Sequence, residues 1–132
     1  MSAWLVSVLV SLALAVLWHG VSLKVACALA GEDSPGLFRT AMISWLGGIL
    51  STVAGVAWSF TLGLFVSLFI SSWLSTGIGL VLGLLTAATV YRRGLKLSGP
   101  ASLGVAVVHA GLTFAFNALL GGLFYFGAST LF

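Results

Sequence analysis

Charged side chains are nearly absent from this sequence. Its 132 residues include five Lys and Arg and two Asp and Glu, so only 5% of the chain is charged. An ordinary soluble domain has about a quarter of its residues charged. With 61% hydrophobic residues and a mean hydropathy of +1.25, too few polar side chains remain to cover a water-facing surface. The composition therefore predicts an integral membrane protein.

Other absences exclude several classes of partner and chemistry. Five cations against two acids are too sparse to form a phosphate-binding face, so we expect no nucleic-acid partner. The only cysteine, Cys27, cannot form an internal disulfide, and we interpret it as a buried packing residue. The sequence contains no zinc-protease motif, no Ser-His-Asp set with an intramembrane acid and no phosphate-binding loop. We therefore predict no catalytic residues, no metal site and no enzymatic activity.

Long apolar runs dominate what remains, and each is long enough to cross a bilayer as a helix. Two polar stretches interrupt them: AGEDSPGLFR at 30–39 and YRRGLKLSGP at 91–100. Residues 61–71 form an apolar connector, which we expect to be helical because backbone at that depth must satisfy its own hydrogen bonds. The sequence predicts one all-α transmembrane domain over 1–132, with spans at about 3–28, 36–60, 72–95 and 100–127.

A weak internal correspondence relates the two halves of the chain. A shift of 69 residues places Trp4 on Trp73, and a shift of 65 residues places Pro35 on Pro100. This pattern predicts two helical hairpins in tandem.

All five cations lie in or beside the connections between spans one and two and between spans three and four. The positive-inside rule then places both connections in the cytoplasm and both termini outside, in a bacterial inner membrane. We expect these cations to contact anionic lipid headgroups: Lys24, Arg39, Arg92, Arg93 and Lys96.

Small residues recur at four-residue spacing, a pattern that lets membrane helices approach closely. The predicted packing positions are Ser44, Gly48, Ser51, Gly55, Gly79, Gly83, Ala118 and Gly122. Aromatic residues prefer the headgroup level. We therefore expect Trp4, Trp58, Trp73 and 124–126 near the outer boundary and Tyr91 near the inner one.

The two histidines are the best candidates for chemistry. His19 in span one and His109 in span four lie at similar depths on antiparallel helices. Two facing histidines can serve as axial ligands of a haem or a chlorophyll-type pigment. The alternative is structural, with each histidine bonded to a Ser hydroxyl, a backbone carbonyl or a neighbouring subunit.

These observations favour a non-catalytic small subunit or scaffold of a larger membrane complex, or a homo-oligomer. Its partners would be membrane lipids and other membrane subunits or further copies of itself. Two alternatives stay open. One is a haem- or pigment-binding subunit that uses His19 and His109. The other is a small oligomeric channel or transporter with a polar path lined by Ser, Thr, Asn117 and the histidines.

Overall fold

The computed structural model describes the backbone of residues 3–131 and the side chains of residues 3–123. Within that part of the chain all regular structure is helical, and four helices are long and apolar enough to cross a membrane. This confirms the prediction of an all-α protein with four transmembrane helices.

The helices follow the predicted spans closely. They are α1 (Ala3–Leu29), α2 (Leu37–Trp58), α3 (Leu64–Phe69), α4 (Ser72–Leu95) and α5 (Gly99–Leu131). A π-helical turn, Ser59–Gly63, joins α2 to α3 without a break. The predicted connector 61–71 therefore extends the second span, and the chain reverses direction only at Ile70, whose backbone is extended.

The four long helices form a closed ring. Helix α2 packs against α1 and α4, and α5 packs against the same two helices. Among the described residues the backbones of the diagonal pairs, α1 with α4 and α2 with α5, do not approach each other closely. The ring therefore encloses an axis that all four helices face.

Packing is tight at one end of this ring and loose at the other. The buried apolar core lies at the end that carries the charged turns, which we call the charged-loop end, and includes Leu23, Cys27 and Val105. At the opposite end every residue from 3 to 15 of α1 is exposed.

The two hairpins share one turn geometry. Gly31 (φ 71°) and Lys96 (φ 57°) both adopt the left-handed conformation, and they lie 65 positions apart. The Glu32 N–H donates to the Cys27 carbonyl (2.9 Å), and the Leu97 N–H donates to the Arg92 carbonyl (3.1 Å). These bonds are also 65 positions apart, and each closes the end of its helix as in a Schellman motif.

Burial follows the same repeat. Five pairs of buried residues are separated by 65 positions: Leu23 and Ala88, Ala26 and Tyr91, Thr40 and Val105, Ala41 and Ala106, and Ser44 and His109. A single shift of 65 residues therefore relates both spans of the two hairpins. The shift of 69 residues that aligns Trp4 with Trp73 does not match this structural repeat.

Half of the predicted packing positions lie between helices. Ser44 is buried, and a Cβ added at Gly83 would lie 2.8 Å from the Ser51 Oγ. A Cβ added at Gly79 would lie 3.2 Å from the Trp58 Cδ1. The other four positions face open space or are exposed: Gly48, Gly55, Ala118 and Gly122.

Candidate functional site

His109 connects all four long helices through one imidazole ring. Its Nε2 lies 3.0 Å from the Ser22 Oγ of α1 and 3.3 Å from the Ser44 Oγ of α2. Its Nδ1 lies 2.8 Å from the Tyr91 hydroxyl of α4. All four side chains are buried, and we call Ser22, Ser44, Tyr91 and His109 the polar cluster.

The hydrogen-bond partners assign the tautomer of His109. The Ser22 hydroxyl donates its proton to the His19 carbonyl (3.1 Å), so its oxygen accepts from the Nε2–H of His109. The neutral ring then has a lone pair at Nδ1, which accepts from the Tyr91 hydroxyl. The result is a chain of donors from Tyr91 through His109 and Ser22 to the carbonyl of His19.

His19 faces His109 with ring centroids 6.0 Å apart. The predicted juxtaposition of the two histidines is therefore present. However, an axial ligand needs a free nitrogen lone pair, and both nitrogens of His109 are engaged with protein hydroxyls. The described geometry favours the hydrogen-bonded alternative for His109 over tetrapyrrole ligation. Among the described residues, no group of three or more His, Cys, Asp or Glu could hold a metal ion.

A cavity of about 570 Å³ lies beside the polar cluster, and we call it the axial cavity. Residues of all four long helices line it, which places it on the axis of the ring. Its polar lining residues include His19, Ser44, Ser51, Thr52, Tyr91, His109, Thr113 and Asn117. No Asp, Glu, Lys or Arg is among its lining residues.

Three buried polar atoms in this region have no hydrogen-bond partner within the described chain: the Trp18 Nε1, the His19 Nδ1 and the Thr113 Oγ1. His19 and Thr113 line the axial cavity. An unpaired polar group in hydrocarbon is costly. Protein atoms enclose these three atoms, so an occupant of the axial cavity reaches them only if the surrounding side chains move.

A second cleft of about 730 Å³, the far cleft, runs between α4 and the helix formed by α2, the π-helical turn and α3. It extends to Ser67 and Ser72, next to the reversal at Ile70. Ser51, Thr52 and Leu80 line both the far cleft and the axial cavity, so the two adjoin.

The π-helical turn is tied to α4 at the far cleft. The Trp58 Nε1–H donates to the Ser75 carbonyl (3.0 Å), and the Ser75 hydroxyl donates to the Gly63 carbonyl (3.2 Å). A Cβ at Gly63 would lie 2.8 Å from the Trp58 carbonyl. Trp58 therefore joins two helices, whereas Trp4 and Trp73 are exposed as expected for boundary residues. The predicted aromatic group 124–126 lies outside the residues whose side chains are described.

The cations differ in their surroundings. The Lys24 ammonium donates to the Pro35 carbonyl (2.8 Å) within its own hairpin. Arg39, Arg92, Arg93 and Lys96 are exposed at the charged-loop end. Contact with lipid headgroups stays a prediction for these residues.

Sequence reasoning missed Ser22, Thr113 and the role of Tyr91. The shift of 65 residues contained a usable signal, because it places Ser44 on His109. Tyr91 precedes two arginines, which suggested a headgroup position, but its ring points into the core and is only 1% exposed.

Comparison of the chain with known proteins found no match. No family model matches the chain, and neither a curated protein nor a solved structure matches it.

Proposed function

We propose that this protein binds and passes a small uncharged polar solute along the axis of its helical ring. The observation that carries the proposal is the axial cavity, which all four helices line with hydroxyls, imidazoles and an amide. A scaffold protein has no need for such a cavity. Thr52 and Asn117 are exposed residues of this lining and provide hydrogen-bonding groups for the solute.

The extent of the two cavities supports a transport path. Along α4 the lining runs from Ser72 in the far cleft to Tyr91 in the axial cavity. At 1.5 Å per residue this is about 28 Å, close to the thickness of the hydrocarbon layer, about 30 Å. The absence of charged groups from the lining residues favours an uncharged solute, since a buried charge needs a partner.

The charged-loop end closes this path. The polar cluster lies at the end of the axial cavity, and the apolar core with Leu23 and Val105 lies in the same half of the ring. Passage then requires the helices to separate at the polar cluster.

Solute flux into liposomes tests this proposal. Stopped-flow light scattering would measure the entry of urea and of glycerol into vesicles that contain the purified protein. We expect faster entry of at least one of these probes than into protein-free vesicles. Gly48 lines the axial cavity, and no atom lies within 4 Å of a Cβ added there, so Gly48→Leu is expected to fill the path and abolish the added flux.

Gly121→Leu is the matched control, because Gly121 also faces open space but lines neither cavity. We expect this variant to keep wild-type flux. Entry at the protein-free rate for both probes, or an equal loss in both variants, would contradict solute passage through the axial cavity.

A second candidate function is the non-catalytic subunit or homo-oligomer, and a specific surface favours it. Small residues follow one face of α5 that no described helix covers, and these are Gly104, Gly111, Ala115, Ala118 and Gly122. Such a face allows the close approach of another transmembrane helix.

Light scattering of the protein in mild detergent would determine its mass, with the partners identified on a gel. Ala118→Leu is expected to reduce the mass to that of one chain. Leu119→Ala, at an exposed neighbouring position on a different face, serves as the control. An unchanged mass in Ala118→Leu would contradict an interface on this face.

We also infer that the charged turns face the cytoplasm of a bacterial cell, with the protein in the inner membrane. The support is the concentration of all five cations at one end of the ring. Alkaline phosphatase fused after Phe132 is expected to be active, since the C-terminus would then lie outside. If the fusion after Phe132 were inactive and a fusion in the 91–100 turn were active, this orientation would be contradicted.

A further inference from the structure

The far cleft is lined with hydroxyl oxygens that can accept hydrogen bonds. Five hydroxyl groups that line it donate their protons to backbone carbonyls: Thr52 to Gly48, Ser59 to Gly55, Ser67 to Leu64, Thr76 to Ser72 and Ser75 to Gly63. The Trp58 N–H of the same cleft is also engaged, with the Ser75 carbonyl.

Each of these hydroxyl oxygens retains lone pairs that can accept a hydrogen bond. The cleft therefore complements a group that carries several N–H or O–H donors. No Asp, Glu, Lys or Arg is among its lining residues. A free cation would enter without a counter-charge, which is unfavourable away from water. A donor group attached to its own anion avoids that cost.

The position of the cleft points to lipid. It lies between two neighbouring helices and opens sideways from the ring. Its outer part, at Ser67, Ser72 and Thr76, lies within about two turns of the reversal at Ile70. That is the depth at which phospholipid headgroups meet a transmembrane helix.

We propose that the far cleft binds the primary ammonium group of an ethanolamine phospholipid. The ammonium presents three N–H donors to the hydroxyl oxygens, and the phosphate of the same headgroup balances its charge. The bound lipid would form the missing side wall of the cleft. This site is separate from the cationic turns, which lie at the other end of the molecule.

Headgroup competition tests the proposal. The protein would be placed in nanodiscs with equal amounts of ethanolamine and choline phospholipids that have identical acyl chains. Mild release followed by native mass spectrometry would count the lipids retained by each protein molecule. The choline headgroup has the same charges but no N–H, so we expect the ethanolamine lipid to be retained at least about threefold better, the equivalent of one membrane hydrogen bond.

Thr76→Val and Ser67→Ala each remove one acceptor with little change in shape, and each is expected to lower this preference by about threefold. Thr89→Val is the matched control. Its hydroxyl also donates to the carbonyl four residues before it (2.9 Å), and it is exposed outside both cavities.

Equal retention of the two lipids would overturn the proposal, as would an equal loss of preference in Thr89→Val. A competition with the soluble headgroup distinguishes a membrane lipid from a soluble ligand. Excess phosphorylethanolamine in the buffer should leave the bound lipid in place. Displacement of the lipid by this soluble compound would overturn the assignment to a membrane lipid.

Discussion

The two hairpins have the same frame but different side chains at matched positions. Where the first hairpin has Ala26 and Ser44, the second has Tyr91 and His109, 65 residues later. The second hairpin thus contributes the large polar groups, and the first contributes small residues that leave room for them. The buried positions that repeat every 65 residues form the helix contacts of the ring. The polar cluster forms where the residues at two such positions differ.

Gly47 provides the clearest way to break this complementarity. A Cβ there would lie 2.7 Å from the Tyr91 Cε1, and the Tyr91 hydroxyl is held by His109. Because the added methyl group would overlap a buried ring whose hydroxyl is hydrogen-bonded, Gly47→Ala is expected to lower the free energy of unfolding by about 1–3 kcal/mol. Unfolding by SDS in mixed micelles, followed by circular dichroism, would measure the change.

Gly48→Ala on the same helix is the control, since no atom lies within 4 Å of its added Cβ. Alanine is a better helix former than glycine, so this variant should be unchanged or more stable by up to about 1 kcal/mol. Equal losses in the two variants would contradict the fit between Gly47 and Tyr91.

His109 and Ser44 occupy matched positions but should differ in their contribution to stability. His109→Ala removes contacts to three other helices. At about 0.6 kcal/mol for each membrane hydrogen bond, it should cost about 2 kcal/mol. Ser44→Ala removes one contact and should cost about 0.6 kcal/mol. Similar losses for the two variants in the same SDS titration would show that the cluster is not organised around His109.

The matched turns predict changes of opposite sign. Gly31 and Lys96 both have positive φ, which only glycine adopts without strain. Gly31→Ala is expected to destabilise the protein by roughly 1 kcal/mol, whereas Lys96→Gly should stabilise it by up to about 1 kcal/mol. Thermal unfolding in detergent would measure both, and changes of the same sign would contradict the equivalence of the turns.

The smallest expected effect on stability concerns the π-helical turn, which in the described part of the chain only the first hairpin contains. The first hairpin contains the π-helical turn, whereas α5 is α-helical to Leu131. Trp58→Phe removes one hydrogen bond to α4 and should cost about 0.6 kcal/mol. Amide hydrogen exchange should accelerate in residues 59–63. Trp45→Phe, at an exposed position on the same helix, should leave that exchange unchanged, and equal acceleration would argue against the Trp58 contact.

Much of the fold could be predicted because hydrophobic length and polar breaks determine where helices cross a membrane. The spans, the two charged turns and the helical nature of 61–69 follow from those features, whereas residues 70 and 71, also expected to be helical, form the reversal. The polar cluster could not be predicted, because it depends on which side of each helix faces the axis. These helices have apolar residues on every side, so the pattern of hydrophobicity does not distinguish a face toward lipid from a face toward protein.

For the same reason, only part of the candidate site could be predicted. His19 and His109 were recognised because histidine is rare in such sequences, and their proximity follows from matched depth. Ser22 and Thr113 resemble the many other small polar residues of membrane helices. Only the packing of α1 on α5 identifies them as part of the site.

The reversal at Ile70 has a consequence for how the molecule can be made. It is the one place where the chain passes from the first hairpin to the second, and the largest helix contact, between α2 and α4, lies across it. Two separately synthesised polypeptides, 1–70 and 71–132, would each insert as a hairpin and present the other with that contact surface. The two halves of this single chain therefore pack against each other as two separate hairpin subunits would.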